Sequence, residues 1–335
     1  MRPPSELAPA PLAPPVHSRR RTAGIIGLGR ALPTTVVDNA PIAERIGVDP
    51  SWITKRTGIS SRRRCGEGEG LSQLAIEAGE RALDAAGVDP TYVDAVLVAT
   101  SSSDDLVPQA APIVAGALGA DRAMGWDVGL ACTGFLAGLQ QGAALIESGR
   151  ANTVLLIGAD VLGSFTDHDD RQTAAIFGDG AAAAVLVPGG SASVGPVVLG
   201  SEAQRDLLYA DRTDAVVRME GRVVYEKAID NMERSCRVLL ELSGLEIDDV
   251  HLVIAHQANG RIINAVRERF GLDRERVADY VADLGNTSAA SIPLALSLAQ
   301  DDGRLPARGN VLLTAFGAGF SWGAALLTYG GGDTA

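Results

Sequence analysis

The apolar residues of this chain fall into two kinds of segment. Runs rich in Val, Leu, Ile and Ala, without regular alternation of polar residues, occur at 94–100, 153–158, 249–256 and 311–315. Strands of this kind are buried on both faces, as in sheets covered by helices. Two helical segments, after Cys132 and at 288–298, have almost no polar face. Because such helices belong in a protein interior, the pattern predicts a layered α/β sandwich with two central helices.

The predicted elements repeat along the chain in the same order. A helix ending at Gly87 and the strand after it recur as a helix ending at Gly244 and the strand after it, 244 − 87 = 157 residues later. The turn and strand that follow Asn152 recur after Asn310, at an offset of 158. Matched offsets predict two duplicated α/β halves, and a chance likeness between short strand–helix units is the alternative.

Residues 1–21 differ from the rest of the chain. This segment contains six prolines and three consecutive arginines, and it lacks the apolar stretch of a signal peptide. We therefore expect a disordered tail at 1–21, followed by an N-terminal half at 22–188 and a C-terminal half at 189–335. The apolar runs elsewhere are short and broken, so we expect no membrane span.

Composition narrows the classes of function. The 335 residues are 46% hydrophobic with a net charge of −12, which predicts a globular protein without a broad nucleic-acid-binding face. The cysteines Cys65, Cys132 and Cys236 have no paired spacing, which predicts reduced thiols in the cytoplasm. Cys65 lies in a segment at 62–67 that we expect to be a polar loop, and Cys236 lies within a predicted helix.

Cys132 lies where a strand-like segment runs into the first interior helix. Unpaired N–H groups and the macrodipole at a helix N-terminus favour a thiolate, so this position suits a nucleophile. A structural role is the alternative, because most free cysteines are simply buried. Position alone leaves both interpretations open.

Two further polar residues and a glycine-rich turn also follow predicted elements. His256 ends a buried strand, where α/β proteins commonly carry their sites, although a structural histidine is the alternative. Asn286 precedes the second interior helix, 154 residues after Cys132, so the repeat would place amide and thiol opposite each other. A simple N-cap is the alternative for Asn286. The turn at 316–320 could offer backbone N–H groups to an oxyanion.

Five segments taken together resemble the β-ketoacyl-acyl-carrier-protein synthase III family of the thiolase-fold superfamily. They are ACTGF at 131–135, FGDGA at 177–181, HQAN at 256–259, GNTSAAS at 285–291 and FGAGF at 316–320. The resemblance extends from about residue 24 to residue 329. It implies a five-layer αβαβα fold made of two duplicated halves, a homodimer, and acyl-CoA as a substrate with no cofactor and no metal.

The resemblance also implies roles for individual residues. Cys132 would be the acylated nucleophile, and His256 and Asn286 would stabilise the enolate formed when a malonyl carrier-protein thioester loses carbon dioxide. The N–H groups of Cys132 and Ala318 would form the oxyanion hole. Two alternatives stay open: transfer of the acyl group to a hydroxyl, amine or carrier thiol without a new carbon–carbon bond, and a catalytically silent partner subunit.

Other positions match the binding residues of the family. Trp52 and Arg56 match a clamp for the adenine of coenzyme A, and Arg171 matches another nucleotide contact. Asn259 resembles a residue that contacts the pantetheine entrance or supports the catalytic histidine.

The resemblance carries two expectations about partners and substrate choice. Arg261, Arg267 and Arg269 would form a basic face for the acidic acyl carrier protein. Val107 replaces a bulky aromatic residue that some relatives place at the pocket floor across the dimer, so we expect a starter larger than acetyl. The stretch at 189–218, part of the tunnel roof in relatives, is shorter than usual.

Overall fold

The structure is a computed structural model that describes residues 21–330, and its main feature is a sheet of nine strands in the order β11-β12-β13-β8-β1-β7-β6-β4-β5. Two antiparallel pairs, β2–β3 and β9–β10, lie outside it. The strands are β1 (Ala23–Ala31), β2 (Thr35–Asp38), β3 (Ser61–Arg64), β4 (Ala95–Ala99), β5 (Met124–Val128), β6 (Val154–Val161), β7 (Asp179–Pro188), β8 (Ala192–Ser201), β9 (Leu208–Tyr209), β10 (Arg218–Met219), β11 (Val250–Ala255), β12 (Gly309–Gly317) and β13 (Ser321–Tyr329).

The helices connect these strands and cover the sheet. They are α1 (Asn39–Ile46), α2 (Pro50–Thr57), α3 (Leu71–Ala86), α4 (Ala110–Leu118), α5 (Gly134–Glu147), α6 (Gly221–Ser243), α7 (Gly260–Arg269), α8 (Val281–Leu284) and α9 (Ser291–Asp301). The repeated glycines end matching helices: Gly87 after α3 and Gly244 after α6 have φ of 63° and 62°. Glycine adopts this left-handed conformation without a steric penalty, so each helix stops there.

The two ends of the large sheet are built alike. In the first, β4 and β6 are parallel and β7 is antiparallel to β6; in the second, β11 and β12 are parallel and β13 is antiparallel to β12. The ends meet where β1 pairs with β8 through Gly24–Ser193 and Ile25–Ala192. The strands of the first end lie within residues 23–188 and those of the second within 192–329. The division that we propose at residue 188 falls in the turn between them.

The layers follow from which side chains each helix covers. The two apolar helices α5 and α9 pack together between the inward faces of both ends of the sheet. Helices α3 and α4 cover the outer face of the first end, and α6 and α7 cover the outer face of the second. The five-layer αβαβα arrangement is therefore confirmed, and the middle layer consists of the two helices that the sequence marked as apolar all round.

The segment that we expected to be a polar loop around Cys65 is strand β3 up to Arg64, and Arg62 within it is fully buried. The Arg62 guanidinium donates hydrogen bonds to the carbonyl oxygens of Val37 (3.1 Å) and Ala175 (2.7 Å) and to Oδ1 of Asn39 (2.8 Å). Burial lowers the pKa of Arg62 to about 10. A charged side chain lacks the apolar signal of a core strand, and so the loop expectation was wrong.

The predicted tail at 1–21 lies outside the described residues except for Arg21, which donates a hydrogen bond to Oδ1 of Asn152 at 2.6 Å. Across residues 21–330, every helix is too short or too polar to cross a lipid bilayer.

Candidate active site

Cys132 lies in a 3-10 turn, Ala131–Thr133, that leads directly into α5. Ala131 before it has a φ of 44°, a left-handed conformation that costs a residue with a side chain about 1–3 kcal/mol. Thr133 after it is fully buried, and its hydroxyl accepts a hydrogen bond from Ser321 (3.1 Å). The surrounding packing thus holds a sharp turn that presents Cys132 to an internal cavity.

The Cys132 thiol is protonated in the resting site. The residue is half-buried, and burial raises the pKa of its thiol to about 12. A hydrogen bond from the Ser288 hydroxyl and the residue's own N–H oppose this rise in pKa, whereas the nearby Asp160 carboxylate adds to it. We expected the helix terminus to stabilise a thiolate, but the loss of solvent has the larger effect. The sulfur therefore has to lose its proton when it reacts.

His256 follows β11 and is almost completely buried. Its N–H donates to the Thr314 carbonyl (2.7 Å), and its Nδ1 lies 2.6 Å from Oγ of Ser291, the first residue of α9. Burial lowers the pKa of His256 to about 3, so the imidazole is neutral near pH 7. The contact with Ser291 occupies Nδ1 and leaves Nε2 for the cavity.

The backbone of Asn286 is held on both sides. Its N–H donates to the Ile176 carbonyl (2.9 Å), and its carbonyl accepts from the N–H of Gly178 (3.0 Å). The side-chain Oδ1 accepts from the N–H of Ser288 (2.8 Å), much as the N-cap alternative would have it. Gly285 permits this approach, because a Cβ there would lie 2.9 Å from the Ile176 carbonyl oxygen. The hydrogen bond at Oδ1 fixes the orientation of the amide, and Asn286 lines the cavity.

The glycine-rich turn at 316–320 joins β12 to β13 and lies against the nucleophile. A Cβ on Gly317 would come within 2.9 Å of the Cys132 backbone nitrogen, so no larger residue fits here without a shift. Ala318 lines the cavity beside it, and its carbonyl accepts from Oγ of Ser321 (3.2 Å). The absent side chain at 317 leaves room at the N–H of Cys132, as an oxyanion hole requires.

These parts share one cavity of about 1560 Å³. It brings together most of the residues that the sequence analysis selected, although they come from widely separated segments. The predicted site residues that line it are Cys132, His256, Asn286, Ala318, Trp52, Arg56, Arg171, Asn259 and Arg261.

The predicted nucleotide clamp lies on the wall formed by α2. The guanidinium carbon of Arg56 is 4.9 Å from the centroid of the Trp52 ring, a cation–π distance. Asn259 caps α7 by accepting from the N–H of Arg261 (2.8 Å), and its Nδ2 donates to the Arg56 carbonyl (3.3 Å). Asn259 therefore connects the start of α7 with the end of α2. Its contact with a substrate stays a prediction.

Arg171 reaches across to the connection between α1 and α2. Its Nε donates to the Ile46 carbonyl (2.8 Å), and a second nitrogen donates to the Gly47 carbonyl (3.2 Å). The side chain is thereby fixed on the wall of the cavity that Trp52 also lines. A nucleotide contact by Arg171 also stays a prediction.

Three of the predicted binding residues do not line the cavity. Arg267 donates to Oδ1 of Asn264 and to the Leu272 carbonyl, and Arg269 pairs with Glu233 and Asp230. Val107 is 87% exposed, on the loop before α4. The basic residues at the cavity that sequence reasoning missed are Arg205, Arg212 and Arg222. The first two lie in the stretch at 189–218, which contains none of the five segments that carry the family resemblance.

The loop at 167–170 contains three aspartates and a histidine, residue types that can bind a metal ion. Asp169 pairs with Arg45 at 2.7 Å. In the part of the chain from 21 to 330, no group of three or more His, Cys, Asp and Glu side chains is placed to hold a metal ion. Neither observation bears on the catalytic chemistry of the cavity.

Comparison with known proteins gives one consistent result. Residues 126–203 match the family described as 3-oxoacyl-[acyl-carrier-protein (ACP)] synthase III, and residues 240–329 match its C-terminal part. Beta-ketoacyl-[acyl-carrier-protein] synthase III 2 of Streptomyces coelicolor is 42% identical over 318 residues, which are 94% of this chain and 96% of that protein.

Solved structures agree with this match. The crystal structure of 3-oxoacyl-[acyl-carrier-protein] synthase III from Aquifex aeolicus has a TM-score of 0.89 at 38% identity and covers 92% of this chain and 100% of its own. The priming β-ketosynthase of the R1128 polyketide biosynthetic pathway has a TM-score of 0.89 at 33% identity, covering 96% and 99%.

Proposed function

The chain belongs to the β-ketoacyl-[acyl-carrier-protein] synthase III family, and from this membership we propose how its residues carry out a decarboxylating condensation. The protein is an acyltransferase of the condensing type, acting in the initiation of fatty-acid or polyketide chains. An acyl group passes from coenzyme A to Cys132 and then to the carbon of a malonyl carrier-protein unit. The observation that carries the proposal is the single cavity shared by Cys132, His256 and Asn286.

In the first step, the Cys132 sulfur attacks the carbonyl of the acyl-CoA. A carbon–sulfur bond forms at Cys132, and the coenzyme A thiolate leaves, so one thioester replaces another at little cost in free energy. The carbonyl oxygen becomes an oxyanion during the attack. The N–H groups of Cys132 and Ala318, with the space left by Gly317 between them, donate to that oxygen.

In the second step, the malonyl thioester loses carbon dioxide and becomes an enolate. Its oxygen accepts hydrogen bonds from Nε2 of His256 and Nδ2 of Asn286. When Ser291 donates to Nδ1, Nε2 carries the proton of the neutral ring and is a donor without a positive charge. The enolate carbon then attacks the acyl-Cys132 carbonyl, and the sulfur departs with the electron pair of the broken bond. These steps use the chain's own groups and no separate cofactor.

The residues that line the cavity and its surroundings support a proposal for the substrates and partners. Arg56 with Trp52 receives the nucleotide end of coenzyme A. Val107 is 87% exposed and does not line this cavity, and we place it across the dimer at the floor of the partner's pocket, where its small side chain leaves room for a starter larger than acetyl. Basic side chains around the cavity, including Arg261 and Arg222, receive the acidic carrier protein.

We further propose a homodimer built on the exposed apolar residues beside β5. Leu106 is 81% exposed, Val107 87% and Met124 72%, and β5 is the edge strand of the large sheet. An exposed edge with apolar side chains favours pairing with a second copy. Three unpaired cysteines fit a reducing compartment, which leads us to propose the cytoplasm.

The test separates the two steps in three proteins. Wild type, Cys132→Ala and Asn286→Ala are incubated with a panel of acyl-CoAs and malonyl carrier protein, and acyl-enzyme mass and carbon dioxide release are measured. We expect no acyl-enzyme from Cys132→Ala. From Asn286→Ala we expect a normal acyl-enzyme but carbon dioxide release reduced about 10²-fold or more.

Other results would contradict the proposal in different ways. Acylation of the wild type without carbon dioxide release would show acyl transfer without a new carbon–carbon bond. Equal loss of acylation in both variants would contradict the assigned division of labour. A larger rate with acetyl-CoA than with branched or longer acyl-CoAs would contradict the starter proposed from Val107.

A further inference from the structure

The proposed decarboxylation needs a proton on Nε2 of His256, and one side chain is placed to keep it there. Among residues 21–330, the only hydrogen bond of the imidazole is the 2.6 Å contact between Nδ1 and Oγ of Ser291. Ser291 is the first residue of α9 and is 1% exposed, and His256 is 3% exposed. Bulk water therefore does not compete for this contact.

The backbone holds both partners in place. The N–H of His256 donates to the Thr314 carbonyl (2.7 Å), and the His256 carbonyl accepts from the N–H of Ala258 (2.9 Å). On the other side, the N–H of Ser291 donates to the Ser288 carbonyl, and Ser291 has helical dihedrals, with φ −64° and ψ −41°. The two side chains therefore meet from fixed positions on different elements.

A neutral imidazole can make this contact in two ways. Either Ser291 donates its hydroxyl proton to Nδ1 and the ring carries its own proton on Nε2, or Nδ1–H donates to Oγ and Nε2 presents a lone pair. Burial keeps the ring neutral near pH 7, since it lowers the pKa of His256 to about 3. The same two atoms are joined in both cases, so the choice depends on where the serine proton can go.

The surroundings of Ser291 select the first arrangement. In the described part of the chain, Nδ1 of His256 is the one hydrogen-bond partner of the Ser291 hydroxyl. If Nδ1 carried the ring proton, the hydroxyl proton of this buried serine would have no acceptor. An unpaired buried donor lowers the population of that tautomer by about tenfold or more. Nε2 has no such constraint, because His256 lines the cavity and a proton there can be donated to a ligand.

We propose that Ser291 is a positioning residue that fixes the tautomer of His256 with the ring proton on Nε2, an inference that rests on the proposed function. The imidazole then offers the enolate oxygen a donor, whereas the other tautomer would direct a lone pair at the negative charge. Acylation of Cys132 uses backbone N–H groups for its oxyanion and does not need this donor. Loss of the Ser291 hydroxyl should therefore slow decarboxylation much more than acylation.

Nitrogen NMR of protein labelled with nitrogen-15 histidine reads the tautomer directly at pH 7.5. Correlations between the ring nitrogens and the carbon-bound ring protons show which nitrogen carries the proton. The signal that is missing from His256→Gln identifies this residue among the four histidines. We expect one tautomer in the wild type, with the proton on Nε2. In Ser291→Ala, Nδ1 loses its donor, and we expect a mixture of both tautomers.

Acyl-enzyme mass and carbon dioxide release separate the two steps in the same variants. With isobutyryl-CoA and malonyl carrier protein, Ser291→Ala should release carbon dioxide about tenfold or more slowly, because it loses part of the effect of an oriented donor. Its acylation rate should stay within about threefold of the wild-type rate, since the oxyanion donors of that step are unchanged. Ser291→Cys keeps the size of the side chain but has only a weak S–H donor, so its carbon dioxide release should lie between the two.

A second buried serine of α9 provides the matched control. Ser297 is 3% exposed, and its hydroxyl accepts a hydrogen bond from Arg30 (2.9 Å). Ser297→Ala should keep the wild-type tautomer of His256 and both wild-type rates. If Ser291→Ala fails to fold, the comparison of Ser291→Cys with Ser297→Ala decides the question.

Four results would overturn the role of Ser291. A wild-type ring with its proton on Nδ1 would contradict the tautomer itself, and an unchanged tautomer in Ser291→Ala would show that the serine does not set it. Full carbon dioxide release from Ser291→Ala would show that the tautomer does not limit decarboxylation. Equal losses of acylation and carbon dioxide release would reduce the serine to a support of the fold. Failure of the proposed function looks different: the wild type would release no carbon dioxide, while the tautomer would still change in Ser291→Ala.

Discussion

The two turns that precede the central helices α5 and α9 have the same backbone conformation, but one lies at the catalytic cysteine and the other is bound by a buried side chain. Ala131 and Ser288 both have positive φ, 44° and 50°, and each belongs to or borders a 3-10 turn. Helix α5 begins at Gly134 and α9 at Ser291, and both pairs are 157 residues apart. By this register the counterpart of Cys132 is Ala289, three residues beyond Asn286.

One strand position explains why the turns differ. Inward-facing residues of β6 and β12 follow the same offset, so the counterpart of Asp160 is Gly317. The Asp160 carboxylate accepts a hydrogen bond from the N–H of Ala289 (3.1 Å), so this N–H is not available to a ligand. At the matched place Gly317 has no side chain and leaves the N–H of Cys132 open. Duplication supplied the same turn twice, and the residue beside it decides whether its N–H stabilises the fold or faces a substrate.

The strongest way to break this comparison is to close the open turn. In Gly317→Ala the new Cβ would lie 2.9 Å from the Cys132 nitrogen and obstruct the oxyanion hole. We expect acylation to slow by about 10²–10³-fold, or about 2.7–4 kcal/mol, as measured by rapid-quench mass spectrometry. The control Gly116→Ala adds a methyl group to α4 in open space and should leave the rate unchanged. Equal rates in the two variants would disprove the role given to Gly317.

A second test of the comparison uses low pH. Ser291, which follows the second turn, hydrogen-bonds with His256, whereas its counterpart after the first turn is Gly134, which has no side chain to make such a bond. The pKa of His256 is about 3 in the folded protein against 6.5 ordinarily. The unfolded chain therefore binds more protons between these values, and stability falls as pH drops below 6.5. We expect about 2 kcal/mol less free energy of unfolding at pH 5 than at pH 7.5 from this group.

Urea titrations at both pH values measure the effect. The control His256→Gln removes the imidazole and should lose about that part of the difference in unfolding free energy between pH 7.5 and pH 5. If the wild type and His256→Gln have the same pH dependence, the histidine is not buried in its neutral form.

The smallest expected effect concerns the left-handed residue of the first turn. Ala131→Gly relieves the strain of a φ of 44° but gives the unfolded chain more freedom, and these two effects have similar size. We expect the free energy of unfolding to change by less than about 1 kcal/mol, measured by urea titration. A loss above 2 kcal/mol would show that the methyl group of Ala131 itself stabilises the turn.

The sequence predicted the layered fold because its strongest signals lie in the helices that form the middle layer. Helices α5 and α9 lack a polar face, and a helix that is apolar all round is stable only when it is buried. Cys132, His256 and Asn286 could be selected because each follows or precedes a recognisable element and matches a family motif. Local pattern was sufficient for both conclusions.

The charged interior could not be predicted in this way. Asp160 depends on partners 58 to 129 residues away, and Arg62 on a carbonyl 113 residues away, so no local pattern marks either residue as buried. The ion pair of the exposed Arg269 likewise has no local signal, because its partner Glu233 lies 36 residues earlier on another helix. The protonated state of Cys132 also depends on burial, which helix position alone does not reveal.

The short seam between β1 and β8 has a consequence for how such a site can change. Two residue pairs join the halves there, so few backbone hydrogen bonds hold the halves in register. Helices α5 and α9, which follow Cys132 and Asn286, form the middle layer of the core between the halves, and a Cβ on Gly138 of α5 would come within 2.4 Å of Leu156 Cδ1. Mutations deep in that layer can therefore rescale the distance between nucleophile and enolate while every reacting group keeps its identity.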